Sequence, residues 1–187
     1  MPISPKKSKR TSSTTKSLLC LLVASMLLSC HASRSGVGSR PKPDFHELAK
    51  AGIRLGFDIE IDDNWPLLVE SSRWLSVPYK FGGNNEQGVD CSGLNCAIYQ
   101  RVFQKRLHRN SREQYEKDCH HVSRRHLQQG DLVFFAPDGK KKNINHTGIF
   151  LKNDLFLHAS SSRGVIVSSL DNRYYQRIWV GGGRVKD

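Results

Sequence analysis

The order in which hydrophobic patterns appear constrains this chain most. Up to about residue 105 the apolar residues recur at helical spacing, whereas from residue 131 they come in short runs bounded by Gly, Asn, Asp or Lys. The runs at 131–136, 147–151, 155–159, 165–168 and 177–180 read as strands joined by hairpins. Helices followed by a strand series predict an α+β domain, with N-terminal helices packed on a central antiparallel sheet. Asp44 can cap a first helix through Phe45, Leu48 and Ala49 that Gly52 or Gly56 would end. A second helix is predicted from Trp65-Pro66, with Leu67, Leu68, Ser71, Trp74 and Leu75 at helical spacing and a stop before Pro78. A glycine-rich, turn-forming stretch, YKFGGNNEQGVDCSGL, then runs into a third helix whose Leu94, Ala97, Ile98 and Val102 share a face, and a polar helix-like stretch follows at 111–117. There is no internal repeat.

The chain start is a separate problem. Lys6, Lys7, Lys9, Arg10 and Lys16 precede an uncharged stretch, 18–30, which is the layout of a signal peptide and is too short for the roughly 20 residues a bilayer span needs. Residues 1–29 are therefore set apart from fold reasoning. The segment Leu27-Leu28-Ser29-Cys30 resembles the lipobox of bacterial lipoproteins, which implies diacylglycerol and an N-acyl group on Cys30 and attachment to a membrane. Cleavage at another small residue, releasing a soluble periplasmic protein, is the alternative. By analogy with lipoprotein sorting, His31 in place of Asp points to the outer membrane. Residues 30–43, rich in Ser, Gly, Pro and Arg, read as a flexible tether to a domain at 44–187, and a monomer is expected.

The net charge is +12, and because the first 29 residues hold five bases and no acid, +7 belongs to the rest. Residues 44–89 contain eight acids and four bases, residues 90–187 nine acids and seventeen bases. A basic half suits an anionic polymer. Nucleic acid conflicts with the export signal, and no basic motif interleaved with aromatics is present. Carboxylate-rich cell-wall glycopeptide fits the compartment.

Cys91, Cys96 and Cys119 lie beyond the export segment, so at least one thiol is left unpaired. Cys91 falls at or just before the start of the third helix, where unpaired N–H groups and the positive dipole end should lower a thiol pKa toward neutrality. Gly93 would let backbone or substrate come close, and Cys96, deeper in the helix, is expected to pack as a small hydrophobe. His146 begins one predicted strand and His158 lies within the next, near enough across a turn at 152–154 to be neighbours. Two strand-borne imidazoles facing a helix-borne thiol form a relay in which His146 is general base and His158 orients it. His46, His108, His120, His121 and His126 lie in polar segments and are expected to be solvated. Zinc held by Cys91, His146 and His158 is the rival arrangement, but without a carboxylate or a second Cys pair it is weak, and no metal or cofactor is expected.

These residues resemble the NlpC/P60 cysteine peptidases. YKFGGNNEQGVDCSG resembles the nucleophile signature, and INHTGIFL and LFLHASSSRGV resemble its two histidine segments in order, with RNSREQ and QQGDLVFF connecting the first motif to the second, across about residues 74–185. The resemblance implies a papain-like fold, Cys91 facing His146 and His158, the Tyr79 hydroxyl in the oxyanion environment, and Asp90 and Ser92 shaping the peptide cleft. It implies a peptidoglycan endopeptidase that cuts an amide in stem peptides or cross-links. Which bond is cut stays open, as do an inactive wall-binding lipoprotein and a thioester-based acyltransferase. The segment 44–64 is left either narrowing the cleft or extending the fold.

Overall fold

A computed structural model describes residue 1 and residues 44–187. The expected export segment, Cys30 and the tether lie outside the described residues, among which no helix is long and apolar enough to cross a membrane.

Helix α1, Phe45–Leu55, starts on the Asp44 carboxylate, which accepts from the His46 and Glu47 N–H groups, and ends at Gly56 with φ +84°. Helix α2, Trp65–Trp74, starts on Asn64, whose side chain accepts from the Leu67 N–H, with Pro66 in its first turn. The two pack through Leu48, Ala51 and Val69. A short hairpin, β1 (Asn84–Asn85) and β2 (Gly88–Val89), leads directly into α3, Cys91–Phe103. A turn of helix, α4 (Ser111–Glu113), continues into one π-helical turn, Gln114–Asp118, over the polar stretch expected to be helical.

Six antiparallel strands follow in the order β3-β8-β4-β5-β6-β7. They are β3 (Cys119–Val122), β4 (Leu132–Phe135), β5 (His146–Phe150), β6 (Leu155–Ser160), β7 (Gly164–Ser169) and β8 (Trp179–Val185). Strand β4 is buried on both faces. Leu132 and Phe134 pack with Leu67, Trp74, Leu94 and Ile98 of α2 and α3, whereas Val133 and Phe135 pack with Tyr175 and Ile178. Burying apolar surface at about 25 cal/mol per Å² makes these two interfaces the main source of stability.

The last expected strand, at 177–180, is corrected by the structure. Residues Arg173–Ile178 form a helix, α5, and the strand begins at Trp179. The Asn172 side chain accepts from the Tyr174 N–H and starts the helix, and Tyr175 and Ile178, three apart, share the buried side. Strand β3 and the β1–β2 hairpin were not expected. The first is polar at His120 and His121, and each strand of the second is only two residues long.

Candidate active site

Cys91 is the first residue of α3, and its N-cap is Asp90, whose Oδ1 accepts from the Gly93 N–H at 2.7 Å. The same carboxylate accepts from the Gly82 N–H at 2.9 Å and from both Arg109 Nη atoms at 2.8 Å. Arg109 also donates to Ser92 Oγ at 3.0 Å and to the Gly83 carbonyl at 2.9 Å. Burial alone would raise the Asp90 carboxyl, but the Arg109 pair and the Gly93 and Gly82 N–H groups outweigh it and hold it below the usual carboxylate range. This clamp fixes where α3 begins. Asp90 and Ser92, expected to shape the peptide cleft, are buried and bonded inward to it.

Arg109→Ala strands a carboxylate that is 7% exposed. Breaking a buried pair costs about 3–5 kcal/mol, and since the Arg109 side chain is 44% exposed to screening solvent we expect about 2 kcal/mol. Urea denaturation checks this, and an unchanged midpoint would contradict it.

His146 opens β5 and His158 lies within β6, in the register Ile149↔Leu157. Gly148 permits the close approach of the two strands, since a Cβ there would lie 2.5 Å from the Leu157 carbonyl oxygen and 3.1 Å from the His158 Cβ. His146 Nε2 is 3.0 Å from His158 Nδ1, and His158 Nε2 is 2.9 Å from Ser168 Oγ and 3.1 Å from the Tyr175 hydroxyl. Protons assigned from this network give one consistent chain. His146 Nε2–H donates to His158, His158 Nε2–H donates to Ser168 or Tyr175, and His146 Nδ1 is left as an acceptor. Phe156 stacks on the His158 ring at 4.9 Å.

Cys91, His146, His158 and Tyr79 line one cavity of about 540 Å³ with Asn145, whose carbonyl oxygen lies 4.0 Å from the Cys91 Sγ. No residue of 44–64 lines it, and Leu48 and Ala51 of that segment pack on Val69. The expectation of a lowered thiol pKa is corrected. Burial and then the Asp90 charge push Cys91 up to about 11, against the N–H groups of Thr147, Ser92 and Cys91 that favour thiolate. Burial pushes His146 down to about 4, and burial with the neighbouring His146 pushes His158 down to about 2. Both shifts favour the uncharged thiol and the uncharged imidazole in the cavity that the two residues line. Because Coulomb attraction strengthens in a dry site, thiolate and imidazolium are stabilised only when they form together.

Cys96 does not pack as a plain hydrophobe. Its Sγ is 3.4 Å from the His108 carbonyl oxygen and 3.5 Å from Gln114 Nε2. Gln114 also bonds Asn95, which donates to Thr147 Oγ1 at 3.0 Å and so ties α3 to β5 behind the site. Cys119 is buried under β8, against Gly183. Among the described residues the five other histidines are exposed, although His108 Nδ1 sits 2.6 Å from an Asp118 oxygen. Among the described residues no cluster of His, Cys, Asp or Glu could hold a metal ion.

Sequence reasoning missed Ser168, Tyr175 and Arg109. Ser168 was recoverable from register, because β7 pairs Ile166 with His158 and so puts 168 diagonally beside it on the same face. Tyr175 was hidden by the misread helix, and Arg109, the first residue of the RNSREQ segment, was given no role there.

Known proteins bear on this geometry. A family model described as "NlpC/P60 family" matches residues 76–184. The chain is 41% identical over 112 residues to a probable endopeptidase of Haemophilus influenzae, covering 59% of this chain and 67% of that one. It is 29% identical over 171 residues to the murein DD-endopeptidase MepS/murein LD-carboxypeptidase of Escherichia coli K12, covering 88% and 89%. The match spans between 58 and 67% of the length of three probable endopeptidases from these two organisms. The crystal structure of an NlpC/P60 family protein from Bacillus cereus ATCC 10987 superimposes with a TM-score of 0.61 at 29% identity, over 68% of this chain and 42% of that one.

Proposed function

The chain belongs to the NlpC/P60 family, and from that premise we propose that it is a peptidoglycan endopeptidase that cuts an amide of stem peptides or cross-links through Cys91, His146 and His158. The observation that carries this reading is the 3.0 Å bond from His146 to His158 in the cavity that Cys91 also lines. A base whose Nε2 is held by a partner presents Nδ1 in one tautomer, as a thiol relay requires. Its relatives named murein DD-endopeptidase and probable endopeptidase support the substrate class.

The thiol proton passes to His146 Nδ1 as Sγ bonds the amide carbon. The tetrahedral oxyanion is met by the Cys91 N–H and the Tyr79 hydroxyl, which burial keeps above its ordinary pKa and therefore protonated. The C–N bond breaks as His146 returns the proton to the leaving amine. Water then attacks the thioester, His146 takes its proton and passes it to the departing Cys91 sulfur, and the product acid leaves as carboxylate after losing its proton to solvent. Asp90 and Ser92 serve by holding the helix start. Lipidation of Cys30 and residence at the envelope's outer membrane fit a wall substrate, and metabolic labelling with palmitate tests the first against Cys30→Ala. Digestion of purified muropeptides, with mass spectrometry of the fragments, tests the activity and identifies the bond. Intact muropeptides after prolonged incubation would overturn it.

The depressed imidazole sets the pH response. His146 must be neutral to accept a proton, so activity falls as acid protonates it. With its pKa pushed down from 6.5 to about 4, kcat/KM should hold through pH 6.5 and decline toward pH 4. The limb belongs to the coupled pair. An acid limb at or above 6.5 would show that the imidazole is not depressed in the working protein.

A further inference from the structure

The cavity beside Cys91 is built from neutral groups with one exception. Its lining consists of Tyr, Asn, His, Ser and Ala side chains, the Cys91 thiol and Arg163, the one formally charged residue. Several arginines are committed to acids, among them Arg109 to Asp90, Arg101 to Glu70 and Glu86, Arg124 to Asp154 and Asp171, and Arg184 to Asp131, and of those without an acid only Arg163 lines this cavity. No carboxylate among the described residues pairs with Arg163.

Arg163 also stands on a fixed support. It lies in the turn between β6 and β7, five residues after His158, where its N–H reaches the Ser160 carbonyl at 3.4 Å. Gly164 closes that turn at φ +70°, and a Cβ there would come 2.5 Å from the Val77 carbonyl oxygen, so the turn sits tightly on the segment leading to Tyr79. Val165 N–H donates to Val77 at 2.9 Å, and Ser76 N–H to Val165 at 2.9 Å. The guanidinium is near enough for its charge to act on both His158 and Tyr175. It is therefore an exposed cation without an acidic partner among the described residues, lining the cavity from a turn whose backbone is fixed.

We infer that Arg163 selects substrate by binding a free carboxylate on a residue flanking the scissile amide. This rests on the reading of the chain as a stem-peptide hydrolase. Stem peptides carry such carboxylates on D-glutamate, diaminopimelate and terminal D-alanine, and a guanidinium fork takes a carboxylate through two parallel N–H donors. A single positive charge among neutral walls concentrates its field on an anionic ligand. Amidation of the substrate removes the partner and leaves the peptide backbone unchanged.

The test separates binding from turnover. Cys91→Ala protein is titrated calorimetrically with the tetrapeptide L-Ala-γ-D-Glu-diaminopimelate-D-Ala and with the same peptide amidated at its carboxylates. The free acid should bind about tenfold more tightly, as expected for a partly exposed charge-assisted pair. Adding Arg163→Gln should make the two peptides bind alike, and Arg163→Lys should restore part of the preference. Equal binding of the two peptides, a preference that survives Arg163→Gln, or binding of neither would overturn the inference. If the preference is present but protein retaining Cys91 cuts neither these peptides nor purified cross-linked muropeptides, the hydrolase reading fails and the carboxylate site stands.

Discussion

Cys91→Ala is expected to lower muropeptide hydrolysis by at least about 10,000-fold, the scale on which removal of a nucleophile acts when base and oxyanion donors remain. The fold should survive, because alanine is the best helix former and position 91 is the first residue of α3. Cys91→Ser should do nearly as badly. A hydroxyl is far less acidic than a thiol, and this site already pushes the thiol up to about 11. The check is fragment yield by mass spectrometry at matched protein stability. Turnover within tenfold of the parent in the alanine variant would remove Cys91 from the mechanism.

Gly93→Ala should cost both activity and stability. A Cβ at position 93 would lie 2.2 Å from the Gly83 carbonyl oxygen, which is backbone and cannot rotate aside, and 3.0 Å from the Asp90 Oδ1. Either the loop at 82–83 or the first turn of α3 must move, and Cys91 sits on that turn. Displacement of a reacting group by about 1 Å can lower rate on the order of 100-fold, and overpacking of this kind costs about 1–3 kcal/mol. Thermal unfolding and kcat on the same preparation should fall together. Parental values for both would show that the contact relaxes without moving the thiol.

Much of this site could be read from local pattern. A helix start is a local event, written by Asp90 and the glycines around it, and strand alternation places His146 and His158 without knowledge of the whole. The sheet was legible for the same reason, except where polarity or length masked it, as in β3 and the β1–β2 hairpin. What was not legible depends on residues distant in sequence. Arg109 reaches Asp90 across 19 positions and Tyr175 reaches His158 across 17, and each has many equally plausible partners in the linear chain. The thiol's electrostatics were misjudged because helix dipole and N–H groups were weighed without the burial that the surrounding strands impose.

The sheet order places β5 and β6 inside, with β3 and β7 at the two edges. Edge strands fray at lower free energy than interior ones, so slow amide exchange should centre on the strands that carry the two imidazoles. Fraying of β7 would release Ser168 while leaving His146 and His158 joined. The thiol depends instead on the docking of α3 against the sheet. The nucleophile and the proton-handling pair are thus held by different elements, the first by a helix whose Leu94 and Ile98 lie in the main core and the second by adjacent interior strands.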